Sequence, residues 1–194
     1  MKSTKRMSTE TLTLGAILTA IVAVLQLLGS VTTFFGPFST AVALVPIVIG
    51  AAMCGPTVGA WLGLVFGIVV LLSGGAALFL PFSVHGTLIT VLAKGTVCGL
   101  AAGLVYKLLE KTNVYLAVIA AALSCPIVNT GLFLLGSRLF FMDFATEMAT
   151  MLGMDISGMA FFWALAMGNF ITELLTSLIL SPVIVRLLRI KKKA

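Results

Sequence analysis

Lys94 is the residue of this chain hardest to explain as packing. It stands in Thr90-Val91-Leu92-Ala93-Lys94-Gly95-Thr96, inside a long apolar run and far from either end, where its ammonium cannot easily reach water along its own stem. A lysine near the middle of a membrane helix costs on the order of 2.5–3.5 kcal/mol, so such residues face an interior, a partner or a ligand path. Glu173 is a candidate partner in another run, with Asn169 one turn earlier on the same face, and Asn129 lies in a third. Counted inward from the outer ends of their runs, Lys94, Asn129 and Asn169 each lie about 7–11 residues down, roughly 10–16 Å at helical rise, with Glu173 about a turn deeper. Four polar groups on three helices thus converge at similar depth. Two readings stay open: a buried Lys94/Glu173 ion pair that fixes helix packing, with the asparagines satisfying backbone groups, and a binding pocket in an otherwise apolar cleft. Arg138, in the outer segment after the Asn129 run, joins Lys94 in favouring an anionic or carboxylate-bearing ligand.

Catalysis finds little to work with. One histidine, His85, and no paired acidic/histidine motif leave a membrane zinc protease without ligands. Ser83 and Ser137 offer no recognisable setting for a nucleophile held against His85, which reads as an interfacial polar residue. No GxxxxGK[ST] loop is present, so any ATP dependence must come from another chain. Cys54, Cys98 and Cys125 are an odd set without metal-knuckle or disulfide spacing and read as small packing residues. We expect no enzymatic activity, no bound metal and no cofactor in this chain.

The elements that must position Lys94 and its companions are membrane helices. At 60% hydrophobic and 9% charged residues, with a mean hydropathy of +1.21, the chain exceeds the apolar share of a soluble domain, about 45–50%. Spans need about 20 apolar residues, and six can be drawn: Leu12–Gly29, Thr40–Cys54 bent by Pro46, Val58–Leu72, Ser83–Leu108, Val114–Gly136 and Met159–Leu188. Ala76–Pro81 is too short to cross and reads as a loop dipping into the outer interface. Lys2, Lys5 and Arg6 precede the first span, Lys107 and Lys111 separate the fourth from the fifth, and Arg186, Arg189 and Lys191–Lys193 follow the last. Cytoplasmic loops carry the excess of basic residues, which places both termini in the cytoplasm. The net charge of +6 therefore matches anionic lipid and gives no support to nucleic-acid binding. The basic, then apolar, N-terminus mimics a signal peptide but lacks an A-x-A site, and is expected to stay as the first helix.

The expected architecture is one all-α bundle of six transmembrane helices over residues 1–194, with an N-terminal tail 1–11, an external loop 137–158 and a basic C-terminal tail 186–194. Gly59/Gly63/Gly67, Gly95/Gly99/Gly103 and Ala16/Ala20 recur at the small-x-x-x-small interval that brings helix backbones close in lipid. Two outer segments are candidate lids: Gly29–Ser39, with Phe34-Phe35-Gly36-Pro37-Phe38, and Ser137–Gly158, with Asp143, Glu147 and Asp155 among Met142, Met148, Met151 and Met154. An amphipathic segment lying on the membrane is the competing reading of the second.

The whole combination resembles the S components of energy-coupling factor (ECF) transporters. The resemblance rests on length, six spans and four features: Ala16-Ile17-Leu18-Thr19-Ala20; Val45–Ala60 with its Gly55-Pro56 turn; Lys94-Gly95 followed by Gly99-Leu100-Ala101-Ala102-Gly103-Leu104-Val105-Tyr106-Lys107; and Asn129 and Asn169. It implies a subunit of the bacterial cytoplasmic membrane that captures a small water-soluble vitamin or related nutrient from outside. Ala16 and Ala20 would match the family's AxxxA motif for docking on a membrane-embedded T component, which carries two ABC-type ATPases that use ATP. Lys94, Asn129 and Asn169 would contact substrate, and delivery would proceed by reorientation of the whole subunit. The alternatives are a self-sufficient secondary transporter relaying through Lys94 and Glu173, a membrane enzyme, or a structural subunit.

Overall fold

The computed structural model describes residues 9–32, 38–151, 153 and 158–193. Lys2, Lys5, Arg6, Phe34–Pro37, Met154 and Asp155 lie outside the described residues. Seven helices follow one another: α1 (Thr9–Thr32), α2 (Phe38–Cys54), α3 (Pro56–Leu72), α4 (Val84–Leu109), α5 (Val114–Phe140), α6 (Met142–Met151) and α7 (Gly158–Lys193). Segments within α1, α4, α5 and α7 are long and apolar enough to cross a membrane, and α2 and α3 contribute shorter apolar helices. Their outward faces carry a girdle of exposed Leu, Ile and Val, among them Ile17, Ile68, Leu104, Ile127 and Ile179. Such a continuous apolar exterior suits a multi-pass membrane protein.

Local sequence explains where the helices begin. Gly55 takes φ 97°, a conformation only glycine adopts cheaply, and Pro56 opens α3 with its ring already in helical geometry. The Ser83 hydroxyl accepts from the Gly86 N–H at 3.1 Å to cap α4, and the Asn113 carboxamide oxygen accepts from Tyr115 N–H at 2.9 Å to cap α5. Pro46 sits inside α2. That helix is the hub of the bundle, packed against α1, α3, α4, α5 and α7, with Ala43 through Val48 buried without a break. A helix so enclosed along its middle needs apolar residues all round there.

The glycine rows lock α3 to α4. A Cβ on Gly63 would strike the Gly95 carbonyl, one on Gly59 the Gly99 carbonyl, and one on Gly67 would lie 2.9 Å from the Val91 carbonyl oxygen. Each four-residue step along α3 meets a four-residue step back along α4, so the pair is antiparallel and in backbone contact. Gly63→Ala and Gly95→Ala should each lower stability by about 1–3 kcal/mol, the ordinary cost of overpacking. The check is the melting temperature in detergent, and an unchanged value would mean the seam has slack.

The segment 137–158 departs from the expected loop. α5 runs on to Phe140, and α6 follows as an amphipathic helix with Phe144, Ala145 and Ala149 buried and Asp143, Thr146, Glu147 and Thr150 exposed. Its apolar face joins a second core with Phe141, Phe161 and Phe162. The 73–82 connection is a chain of turns, and Phe79 within it packs its ring 5.1 Å from Phe141 and 5.0 Å from Phe144.

Candidate functional site

The antiparallel order gathers the C-terminal halves of α1, α3 and α5, the N-terminal halves of α4 and α7, the 73–82 turns and α6 at one end of the bundle. Between them lies a cavity of about 610 Å³, within the size range of small-molecule sites. Its walls are mostly apolar, with Phe66 and Val70 from α3, Phe79 from the turns, Phe144 and Met148 from α6, and Phe161 and Leu165 from α7. The polar exceptions are few and include Gln26 of α1, Lys94 of α4, Asn129 of α5, and Asn169 and Glu173 of α7.

Lys94, Asn129, Asn169 and Glu173 thus share one cavity, but their connections differ from a simple ion pair. Glu173, 1% exposed, is held by amides. The Asn169 amide donates to its Oε1 at 2.7 Å, and the Asn129 amide donates to both Oε1 and Oε2 at 3.3 Å. A carboxylate only accepts, so the Asn129 nitrogen must face it, which leaves the buried Asn129 Oδ1 without a hydrogen-bond partner. Lys94 forms no direct salt bridge with Glu173. Its ammonium stands 5.6 Å from the centre of the Phe133 ring with Glu173 in electrostatic reach, and the side chain is half-buried. It also lines two smaller cavities of about 100 and 130 Å³. The arrangement is a carboxyl group held by two asparagine amides at the floor of an apolar chamber, and a lysine whose three donors find no acceptor among the described residues. It can bind and orient a polar molecule. Among the described residues, no group of three or more His, Cys, Asp and Glu side chains is placed to hold a metal ion.

Arg138 is not in this group. It is exposed in the last turn of α5 and does not line the cavity. His85 is exposed in the first turn of α4. Gln26, by contrast, escaped the sequence reading: it is 2% exposed and contributes to the cavity wall. A usable signal was present, because Gly15, Leu18, Val22, Gln26 and Gly29 form the buried stripe of α1 at helical spacing.

Ala16 and Ala20 lie on another face of α1 and are both exposed. Ala16 borders a groove of about 560 Å³ between α1 and α3, formed with Gly15, Thr19, Thr57, Val58 and Trp61. The Trp61 indole N–H donates to the Thr19 hydroxyl at 3.1 Å across it.

Fold and cavity together define a helical membrane protein built to bind a substrate. The model of the family described as ECF transporter, substrate-specific component, matches residues 10–188, and the chain belongs to that family. Comparison with curated proteins and with solved structures returned no match.

Proposed function

We propose that this subunit captures a small water-soluble vitamin or related nutrient from outside a bacterial cell and delivers it across the cytoplasmic membrane. In this reading α1–α5 and α7 are six spans of one transmembrane domain, both termini are cytoplasmic, and the cavity opens toward the exterior. The observation that carries it is the chamber itself. An internal site lined by apolar walls, a held carboxyl group and a lysine without an acceptor among the described residues has the chemistry of a ligand site, in a chain of a substrate-specific family. Lys94, Asn129, Asn169 and Glu173 serve the site. Arg138, exposed near the same end of the bundle, acts at most on approach of an anion. The chain needs no cofactor, and ATP is used by two partner ATPases joined to a membrane-embedded T component.

The exposed Ala16/Ala20 face is the docking surface for that component. Small residues let a partner helix come close where packing drives association in lipid. Ala16→Leu or Ala20→Leu should therefore weaken co-purification with the T component about tenfold or more, and stop uptake, while nutrient binding by the isolated subunit persists. Complex formation and uptake that match wild type in both variants would remove the docking role. A secondary transporter relaying through a Lys94/Glu173 pair has less support, since Glu173 is tied to amides and not to the lysine.

A further inference from the structure

We infer that the captured molecule is a small organic anion that also carries N–H or O–H donors, and that Gln26 of the first helix is one of its contacts. This rests on the reading of the cavity as a nutrient site and adds the ligand's chemistry and a fifth contact residue.

The cavity holds unmet hydrogen-bonding capacity of two kinds. Lys94 offers three donors and has no acceptor among the described residues, so the group that meets it must accept, and an anion does so best. Glu173 is already engaged by three amide hydrogen bonds, which leaves it poorly placed as the main counter-ion of a cationic ligand. A cation would also have to share the chamber with Lys94. The remaining capacity is of the opposite kind. Gln26 Oε1 and Asn129 Oδ1 are both buried acceptors without a partner, on two helices that border the same cavity. A purely hydrocarbon acid would satisfy Lys94 and leave both oxygens stranded, whereas a ligand with amide, ureido or hydroxyl hydrogens satisfies all three once the two amides turn into the cavity. The body between these ends is apolar or aromatic, because Phe66, Phe79 and Phe161 form the walls.

The test uses the full-length chain in nanodiscs and defined probes. Pantothenate, biotin and folate combine a carboxylate with donors; octanoate has the carboxylate alone; thiamin is a cation with donors; pyridoxine is uncharged in its side groups. Melting temperature and direct titration are measured for each. The expected result is that at least one of the first three binds while octanoate, thiamin and pyridoxine do not. Gln26→Met, equal in length but without hydrogen-bonding atoms, should then weaken that binding about tenfold with the ligand-free melting temperature near that of the wild type. A ligand-free Gln26→Met that melts far lower is replaced by Gln26→Leu for the same reading. The inference is overturned if none of the three acids binds, if octanoate, thiamin or pyridoxine binds as well or better, or if neither Gln26 variant changes affinity. Those outcomes leave the transport reading intact so long as the chain still co-purifies with its T component and Ala16→Leu disrupts the complex; loss of that dependence instead counts against the transport reading itself.

Discussion

Lys94→Gln is expected to weaken nutrient binding by roughly 30- to 5,000-fold, about 2–5 kcal/mol, the usual effect of truncating one member of a desolvated charge pair. The ligand-free protein should keep its melting temperature or gain slightly. Both halves follow from one geometric fact: the ammonium has a ring and no acceptor beside it. Without ligand, its removal breaks no salt bridge, and Glu173 keeps its three amide hydrogen bonds. With ligand, the anion would lose its counter-charge inside a chamber with mostly apolar walls. Titration and detergent melting on the same samples separate the cases. A destabilised protein that binds normally would make Lys94 a packing residue.

Glu173→Leu should act in the opposite way, lowering the stability of the ligand-free protein by about 2–5 kcal/mol through the two amides it strands. The substitution removes the acceptor of the Asn129 and Asn169 amides and a carboxylate in electrostatic reach of Lys94. Each buried donor left unmade costs about 1–3 kcal/mol. Glu173→Gln keeps one acceptor oxygen for Asn169 and should recover more than half of the loss. Adding Lys94→Gln to Glu173→Gln should recover little further, because the two charges are not in direct contact. Full recovery in that double variant would instead identify a structural ion pair. The readout is melting temperature or chemical unfolding in detergent.

Much of the cavity lining was legible because depth along a helix can be counted. Lys94, Asn129, Asn169 and Glu173 could be placed near one level from apolar run lengths alone, and they do line one cavity. Direction around a helix was harder. Arg138 follows Asn129 by nine residues on α5, two and a half turns at about 3.6 residues per turn, so the two point to opposite sides. Gln26 was lost inside an apolar run, although its place on the stripe with Leu18 and Val22 marks the inward face. Hydrogen-bond pairing was not legible at all: nothing in spacing says that the asparagines would hold the glutamate. Among the elements, the family features at Ala16–Ala20, Gly55-Pro56 and Lys94-Gly95 pointed to the family whose model matches the chain. For α6 the amphipathic reading of 137–158 pointed the right way but gave no bounds, because two acids and three methionines in ten residues fit a loop as well as a helix.

The glycine seam has a mechanical side. At the Gly59/Gly99 and Gly63/Gly95 crossings α3 and α4 meet backbone against backbone, so those two helices form a plate with little give. The opposite wall of the chamber is of another kind. Phe144 of α6 touches Phe79, Phe82, Phe161 and Phe162 through ring contacts with centroids 5.0–6.1 Å apart, and α6 packs mainly on α7 with only slight contact to α5. Ring pairs of this sort are worth about 0.5–1.5 kcal/mol each, and rings can slip past one another where carbonyls pressed against glycines cannot. Widening the chamber at the phenylalanine wall therefore breaks a few kcal/mol of contact, roughly the scale thermal motion crosses on the way to a bound nutrient, while the plate behind it holds Lys94 in register throughout.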